Sequence, residues 1–215
     1  MTSVAPIDAV TELPLPGPTD RAAIMGQTGT GKTTLGRVII ETRPYAVVHD
    51  PKHRVDWGPR WPVYTSLSRL FKSESPWLVY RPSWAELHDP VACDEFFEWT
   101  YVSENRTLMV DEVRLIANGD NYPPHYGVDL MQGRQSNVSV LSCTQRPSRV
   151  PQIMMSESEH AYVFRLVLMR DRQRIEEEWG LDRERIRRLQ KHEFFYCPQD
   201  GEPVGPLILN LRSNT

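Results

Sequence analysis

Gly26-Gln27-Thr28-Gly29-Thr30-Gly31-Lys32-Thr33 is a complete phosphate-binding loop, and Thr34 follows it directly. Its glycines let the backbone wrap closely around an anion, so that successive N–H groups point at phosphate oxygens. Lys32 has the reach and the charge for the outer phosphates, and the Thr33 hydroxyl is a hard oxygen ligand for Mg²⁺. Together these residues, Gly26 through Thr34, imply a bound nucleoside triphosphate with Mg²⁺. A second signal is Thr107-Leu108-Met109-Val110-Asp111-Glu112, an apolar run that ends in two carboxylates. Asp111 is placed to hold Mg²⁺ directly or through water, and Glu112 is placed as the base that takes a proton from attacking water. A third is Val140-Leu141-Ser142-Cys143-Thr144-Gln145-Arg146-Pro147. Gln145 at the end of that apolar run could hydrogen-bond the γ-phosphate or the lytic water, or simply cap a strand at the Pro147 turn.

These residues need strands to deliver them and helices to back them. An apolar run over 22–25 precedes the loop and reads as a strand; 32–42 after it reads as a helix. Further strands are expected over 45–49, 77–80, 107–110, 138–143 and 161–168, with helices over 66–72, 89–103 and 126–137. The stretch 170–190 is charged and helix-prone, broken at Gly180; 193–197 and 207–211 read as a hairpin about Asp200-Gly201. Strands alternating with crossovers imply an α/β fold, a mainly parallel central sheet flanked by helices, with antiparallel strands at its edge. Residues 1–20 carry Pro6, Pro14, Pro16 and Pro18 and read as an extended N-terminal arm; 21–215 read as a single domain.

Composition narrows the function classes. Of 215 residues, 40% are hydrophobic and 25% charged, and the net charge is −3, which argues against a global polyanion-coating surface. No apolar run approaches the roughly 20 residues that cross a bilayer, and no secretory signal is visible at the start. Cys93, Cys143 and Cys197 stand too far apart for a zinc or redox spacing and read as thiols of a reducing cytoplasm. His49 and His53 are four apart, but Pro51 forbids a regular helix that would join them on a metal. The 165–191 window mixes nine cations with six anions, the pattern of a solvated helical face. Two loops are the candidates for DNA contact: 52–60, with Lys52, Arg54, Trp57 and Arg60, and 118–125, directly after the acidic pair.

The loop at Gly26–Thr33, the strand Leu108–Glu112, and the run from Gly133-Arg134 through Gln145-Arg146-Pro147 together resemble the FtsK/HerA superfamily of P-loop (RecA/ASCE-like) ATPases. Within it the chain most resembles the compact genome-packaging ATPases of membrane-containing icosahedral viruses; His49-Asp50 fits that subgroup too. The resemblance implies an oligomeric ring, often a hexamer, that drives double-stranded DNA through a central pore. It implies a soluble motor of the host cytoplasm that docks at a virion vertex on a capsid or viral membrane protein. It implies phosphate binding by Lys32 and Thr33, metal assistance by Asp111, base catalysis by Glu112 and sensing by Gln145. Arg134 matches the position from which the superfamily supplies an arginine to a neighbour's nucleotide; Arg146 and Arg149 are its rivals. Two alternatives stay open: a small-molecule P-loop kinase, whose lid would be 170–188, and an assembly or secretion ATPase of the same superfamily.

Overall fold

The computed structural model describes residues 5–7 and 14–209. Strands are β1 (Ala5–Ile7), β2 (Arg21–Met25), β3 (Ala46–His49), β4 (Val63–Tyr64), β5 (Trp77–Tyr80), β6 (Thr107–Val110), β7 (Ser139–Thr144), β8 (His160–Phe164), β9 (Glu193–Pro198) and β10 (Val204–Leu209). Helices are α1 (Lys32–Glu41), α2 (Leu67–Leu70), α3 (Trp84–His88), α4 (Pro90–Val102), α5 (Pro124–Gln132), α6 (Gln152–Ser156), α7 (Met169–Trp179) and α8 (Arg183–Arg188). One mixed sheet runs β1-β10-β9-β8-β2-β7-β6-β3-β5-β4. From β8 through β4 every pairing is parallel. The β9–β10 hairpin supplies the antiparallel pairings at one edge, with β1 laid parallel on β10.

The central strands β2, β3, β6 and β7 are buried along their whole length. That is why they read as mostly apolar runs without strict alternation, Ser139, Ser142 and Thr144 of β7 being buried polar exceptions: a parallel sheet covered on both faces has no solvent side to alternate with. Side chains still alternate between the two layers. Leu108 and Val110 face a core shared with Phe96 and Phe97 of α4, Tyr126 and Leu130 of α5, and Ile175 of α7. Met109 faces the opposite core, under Leu35, Ile39 and Ile40 of α1 and the indoles of Trp57 and Trp61.

Several elements differ from expectation. The strand expected over 161–168 stops at Phe164, and 165–168 leave the sheet beside the phosphate loop. The helix expected over 126–137 begins earlier, with Pro124 in its first turn; it tightens to a 3₁₀ turn at Gly133–Ser136 and ends on left-handed Asn137. Residues 14–20, read as part of an extended arm, lie on the body of their own chain: Tyr162 donates to Pro14 O at 2.6 Å and Arg43 to Gly17 O at 3.1 Å. Of that arm, 1–4 and 8–13 lie outside the described residues, as do 210 and 211 of the expected hairpin. β4, α3 and α6 are too short to show a period in sequence.

Two buried ionisable groups give the core opposing pH dependences. Asp129 is fully buried, and burial pushes its carboxyl up to about 8. Thr100 Oγ lies 2.7 Å from both Phe97 O and Asp129 Oδ2. One hydroxyl proton cannot serve two acceptors, so the neutral acid, donating to Thr100 while Thr100 donates to Phe97, fits this geometry. Because the folded value lies above the ordinary 3.8, this group stabilises fully below pH 4 and loses that contribution as pH rises towards 8. His49 packs against Tyr80, Phe96 and Phe97, and burial pushes it down to about 3, so its contribution is present above pH 6.5 and is lost as pH falls. Between pH 6.5 and 8 the Asp129 effect therefore stands alone of the two. Asp129→Asn is expected to remove a slope of about 1.4 kcal/mol per pH unit there, measured by urea unfolding. Equal slopes in the two proteins would refute the neutral acid.

Candidate nucleotide-binding and hydrolysis site

β2 ends at Met25 in mid-sheet, and residues 26–31 turn the chain into α1. Gly31 caps that helix with φ 117°, and a Cβ there would stand 3.1 Å from Phe164 Cε1 and 3.2 Å from His192 Nδ1, so only glycine fits. No side chain caps α1 and no acid stands in its first turn. Its first N–H groups and the positive end of its dipole are thus left for an anion. Lys32 is 6% exposed, with Nζ donating to Gln27 O at 2.8 Å. Burial pushes this ammonium down from its ordinary value, and the carboxylates of Glu112 and Asp111 oppose that shift. Thr28 and Gly29 form the exposed crown of the loop.

The acidic strand does not adjoin the loop strand: β7 lies between β2 and β6. That insertion puts Thr144 and Gln145 between the cradle and the two acids. Thr33 Oγ1 donates to Asp111 Oδ1 at 2.7 Å, and Asp111 is 3% exposed. Burial pushes the Asp111 carboxyl up, and Lys52 and the Thr33 hydroxyl pull it back. Glu112 Oε1 accepts from Thr144 Oγ1 at 3.2 Å and from the Gln145 N–H at 3.3 Å. Gln145 Oε1 accepts from Thr28 Oγ1 at 2.7 Å. One glutamine therefore touches the phosphate loop with its side chain and the candidate base with its backbone. The Thr33 hydroxyl and the Asp111 carboxylate are hard oxygen donors already in contact beside Lys32, a donor set that suits Mg²⁺ with water and phosphate completing its shell.

No family model matches the sequence, and no curated protein does. Solved structures do match. The genome packaging NTPase B204 from Sulfolobus turreted icosahedral virus 2, in complex with sulfate, superposes with a TM-score of 0.72 at 16% identity, over 90% of this chain and 100% of that one. B204, the DNA-packaging ATPase from Sulfolobus turreted icosahedral virus, gives 0.72 at 14%, over 90% and 99%. The plasmid coupling protein TrwB gives 0.70 at 9%, over 99% and 91%. The chain has the P-loop NTPase fold. Its likeness to FtsK/HerA-type P-loop ATPases is a likeness of fold.

On this P-loop NTPase scaffold the three candidate arginines fall in different places. Arg134 lies in the turn before β7, at the strand edge opposite the phosphate loop. It is 61% exposed and pairs with Glu159 at 2.7 Å. The structure does not bring it into the cluster. Arg146 lines the cleft beside Gln27, Thr28 and Gln145, and its Nε meets Asp171 Oδ2 at 3.0 Å. Arg149 is exposed, in the 3₁₀ turn Pro147–Arg149.

Three readings of the sequence need revision. Trp57, named within a candidate DNA-contact loop, is 2% exposed and donates from Nε1 to Asp50 Oδ2 at 3.2 Å. Segment 170–188 is no open lid: Ile175, Leu181 and Ile186 sink into the core, and Asp171 accepts from Ser148 and Arg146. Lys52, assigned to the DNA loop, points into the site, with Nζ 3.0 Å from Glu112 Oε2. The pairing of β3 with β6 brings Lys52 there, and no local pattern announces a strand neighbour 60 residues away in sequence. His49 is buried among rings and His53 lies at the surface. Among the described residues no helix is long and apolar enough to cross a membrane.

Proposed function

We propose that the chain hydrolyses ATP in a homo-oligomeric ring and drives double-stranded DNA through it, as a viral genome-packaging motor. The observation that carries this reading is the bridge made by Gln145 between Thr28 of the phosphate loop and Glu112. A residue so placed can relay the phosphate state to the base and to the strand-end loops.

The loop N–H groups and Lys32 would hold the phosphates, and Thr33 and Asp111 would hold Mg²⁺. Bound there, Mg²⁺ would offset the charge of the phosphate oxygens. Glu112 accepts the proton of a water whose oxygen bonds to the γ-phosphorus as the bond to the β–γ bridging oxygen breaks. Arg134 of the next subunit stabilises the charge on the transferring group. Head-to-tail repetition of that contact closes a ring. The named functions of the B204 proteins and of the plasmid coupling protein TrwB support DNA as the substrate. Work in the host cytoplasm, docked through a capsid or viral membrane protein at a vertex, belongs to the same proposal.

The test is the ATPase rate per chain against protein concentration, with and without linear duplex DNA. The rate is expected to rise with concentration and again with DNA. A rate indifferent to both would overturn the motor.

A further inference from the structure

α7 begins at Met169, beside the phosphate loop, and ends at Trp179, at the opposite edge of the sheet. At its first end Val167, Leu168 and Met169 are three consecutive apolar side chains, each about half exposed. Val167 and Leu168 line the cleft shared with Gln27 and Thr28. The other large apolar side chains exposed among the described residues stand singly in sequence. Single ones are ordinary on a soluble surface, whereas a run at the lip of a site marks a contact. Arg165 and Arg170 flank the run, and both are exposed. At the far end of α7 the surface is hollow. A cleft of about 180 Å³ is lined by Trp179, Met155, Ser156, Pro198, Gln199 and Gly201. Trp179 Nε1 is buried without a hydrogen-bond partner among the described residues, and a buried donor left single is costly. Acids stand around the mouth: Glu157 follows Ser156, and exposed Asp200 and Glu202 bracket Gly201. The lip is apolar with a basic border; the cleft is walled by apolar groups with an acidic border. Eleven residues of helix put the two about 16 Å apart, so a chain cannot fill its own cleft with its own lip. A second copy can.

We propose that Leu168 and Met169 of one copy seat in the Trp179 cleft of the next, a knob-in-pocket contact that repeats head to tail. The proposal rests on the ring reading and gives that ring its interface. A knob and a pocket at different places on one chain make a heterologous contact, the kind that closes a ring when the rotation fits. The cleft also adjoins the arginine assigned to the neighbour: the Gln199 N–H donates to Glu159 O at 2.9 Å, and Glu159 pairs with Arg134 at 2.7 Å. Seating the lip in the cleft therefore carries Arg134 towards the phosphate loop of the chain that supplies the lip. In the contact the Met169 thioether meets the indole, and the indole N–H finds an acceptor in the main chain of the incoming segment.

The experiment is light scattering over a concentration series for wild type, M169E and S156R, beside disulfide trapping between M169C and S156C chains. Met169 and Ser156 are both exposed, so these substitutions spare the core, and thermal unfolding temperatures close to wild type check that. M169E sets an acid against the acidic mouth, and S156R fills the cleft. Each is expected to raise the concentration of half-assembly roughly thirtyfold, the loss typical of a hot-spot residue, while S156R keeps wild-type affinity for a fluorescent ATP analogue. Mixed M169C and S156C chains are expected to give a disulfide-linked dimer that neither gives alone. Assembly that survives both substitutions would overturn the contact and leave the ring standing, as would a mixture that yields no linked dimer. A wild type that stays a single chain at every concentration, with ATP and DNA present, would overturn both. If M169E and S156R disperse the assembly while mixed Arg134→Ala and Glu112→Gln chains stay inactive, the contact stands and the assignment of the arginine falls.

Discussion

Glu112→Gln lowers ATP hydrolysis by about 10² to 10⁴-fold and leaves ATP binding in place, the loss expected when a positioned general base is removed. Glutamine keeps the shape and still accepts from Thr144 Oγ1 and the Gln145 N–H, so the fold around β7 has no reason to change. What it loses is the ability to take a proton, together with the charge that faces Lys52. The phosphate contacts belong to Lys32 and the loop, on elements that Glu112 does not support. Affinity for a fluorescent ATP analogue is therefore expected to stay within a few-fold of wild type while single-turnover phosphate release collapses. Hydrolysis within a few-fold of wild type would remove Glu112 from the chemistry and favour a nucleotide-dependent scaffold.

Much of the scaffold under this site can be read from the sequence, for a physical reason. Buried parallel strands are predominantly apolar, so 77–80 and 107–110 are bounded correctly from their apolar runs, and the phosphate loop announces itself through its glycines. Even the edge hairpin is visible in the Asp200-Gly201 turn. What sequence cannot reveal is which strands lie side by side. β7 separates β2 from β6, and β3 adjoins β6 on its other side. That order decides that Gln145 stands between loop and base and that Lys52 reaches Glu112. The same holds for Trp57. In sequence it is an aromatic among cations, the pattern of a nucleic-acid contact; in the fold it fills the layer beneath α1 with Trp61. Its indole N–H also reaches the buried Asp50 carboxylate, which tertiary packing alone could arrange.

Arg134→Ala is expected to cost about 10³ to 10⁵ in the rate of the assembled protein, the range for loss of an arginine that stabilises a transferring phosphoryl group, with little effect on folding. Among the described residues its one ion pair is with Glu159, at 61% exposure, and an exposed pair of that kind contributes about 1 kcal/mol at most. Glu159 also keeps Arg21 at 3.0 Å, so the edge of β8 does not depend on Arg134. A side chain so loosely held can exchange its carboxylate for a phosphate brought by a neighbour. Arg146 is tied more tightly, to an Asp171 carboxylate only 2% exposed, and it lies beside its own chain's loop. A mixing experiment separates them. An Arg134→Ala chain keeps a whole pocket and lacks the arginine to give; a Glu112→Gln chain gives the arginine and lacks a base. If the arginine acts between chains, mixing the two inactive proteins restores hydrolysis, because the Glu112→Gln neighbour completes the Arg134→Ala pocket. A mixture that stays inactive, made of variants that still assemble, places the missing charge within the chain that binds the nucleotide, where Arg146 already lines the cleft.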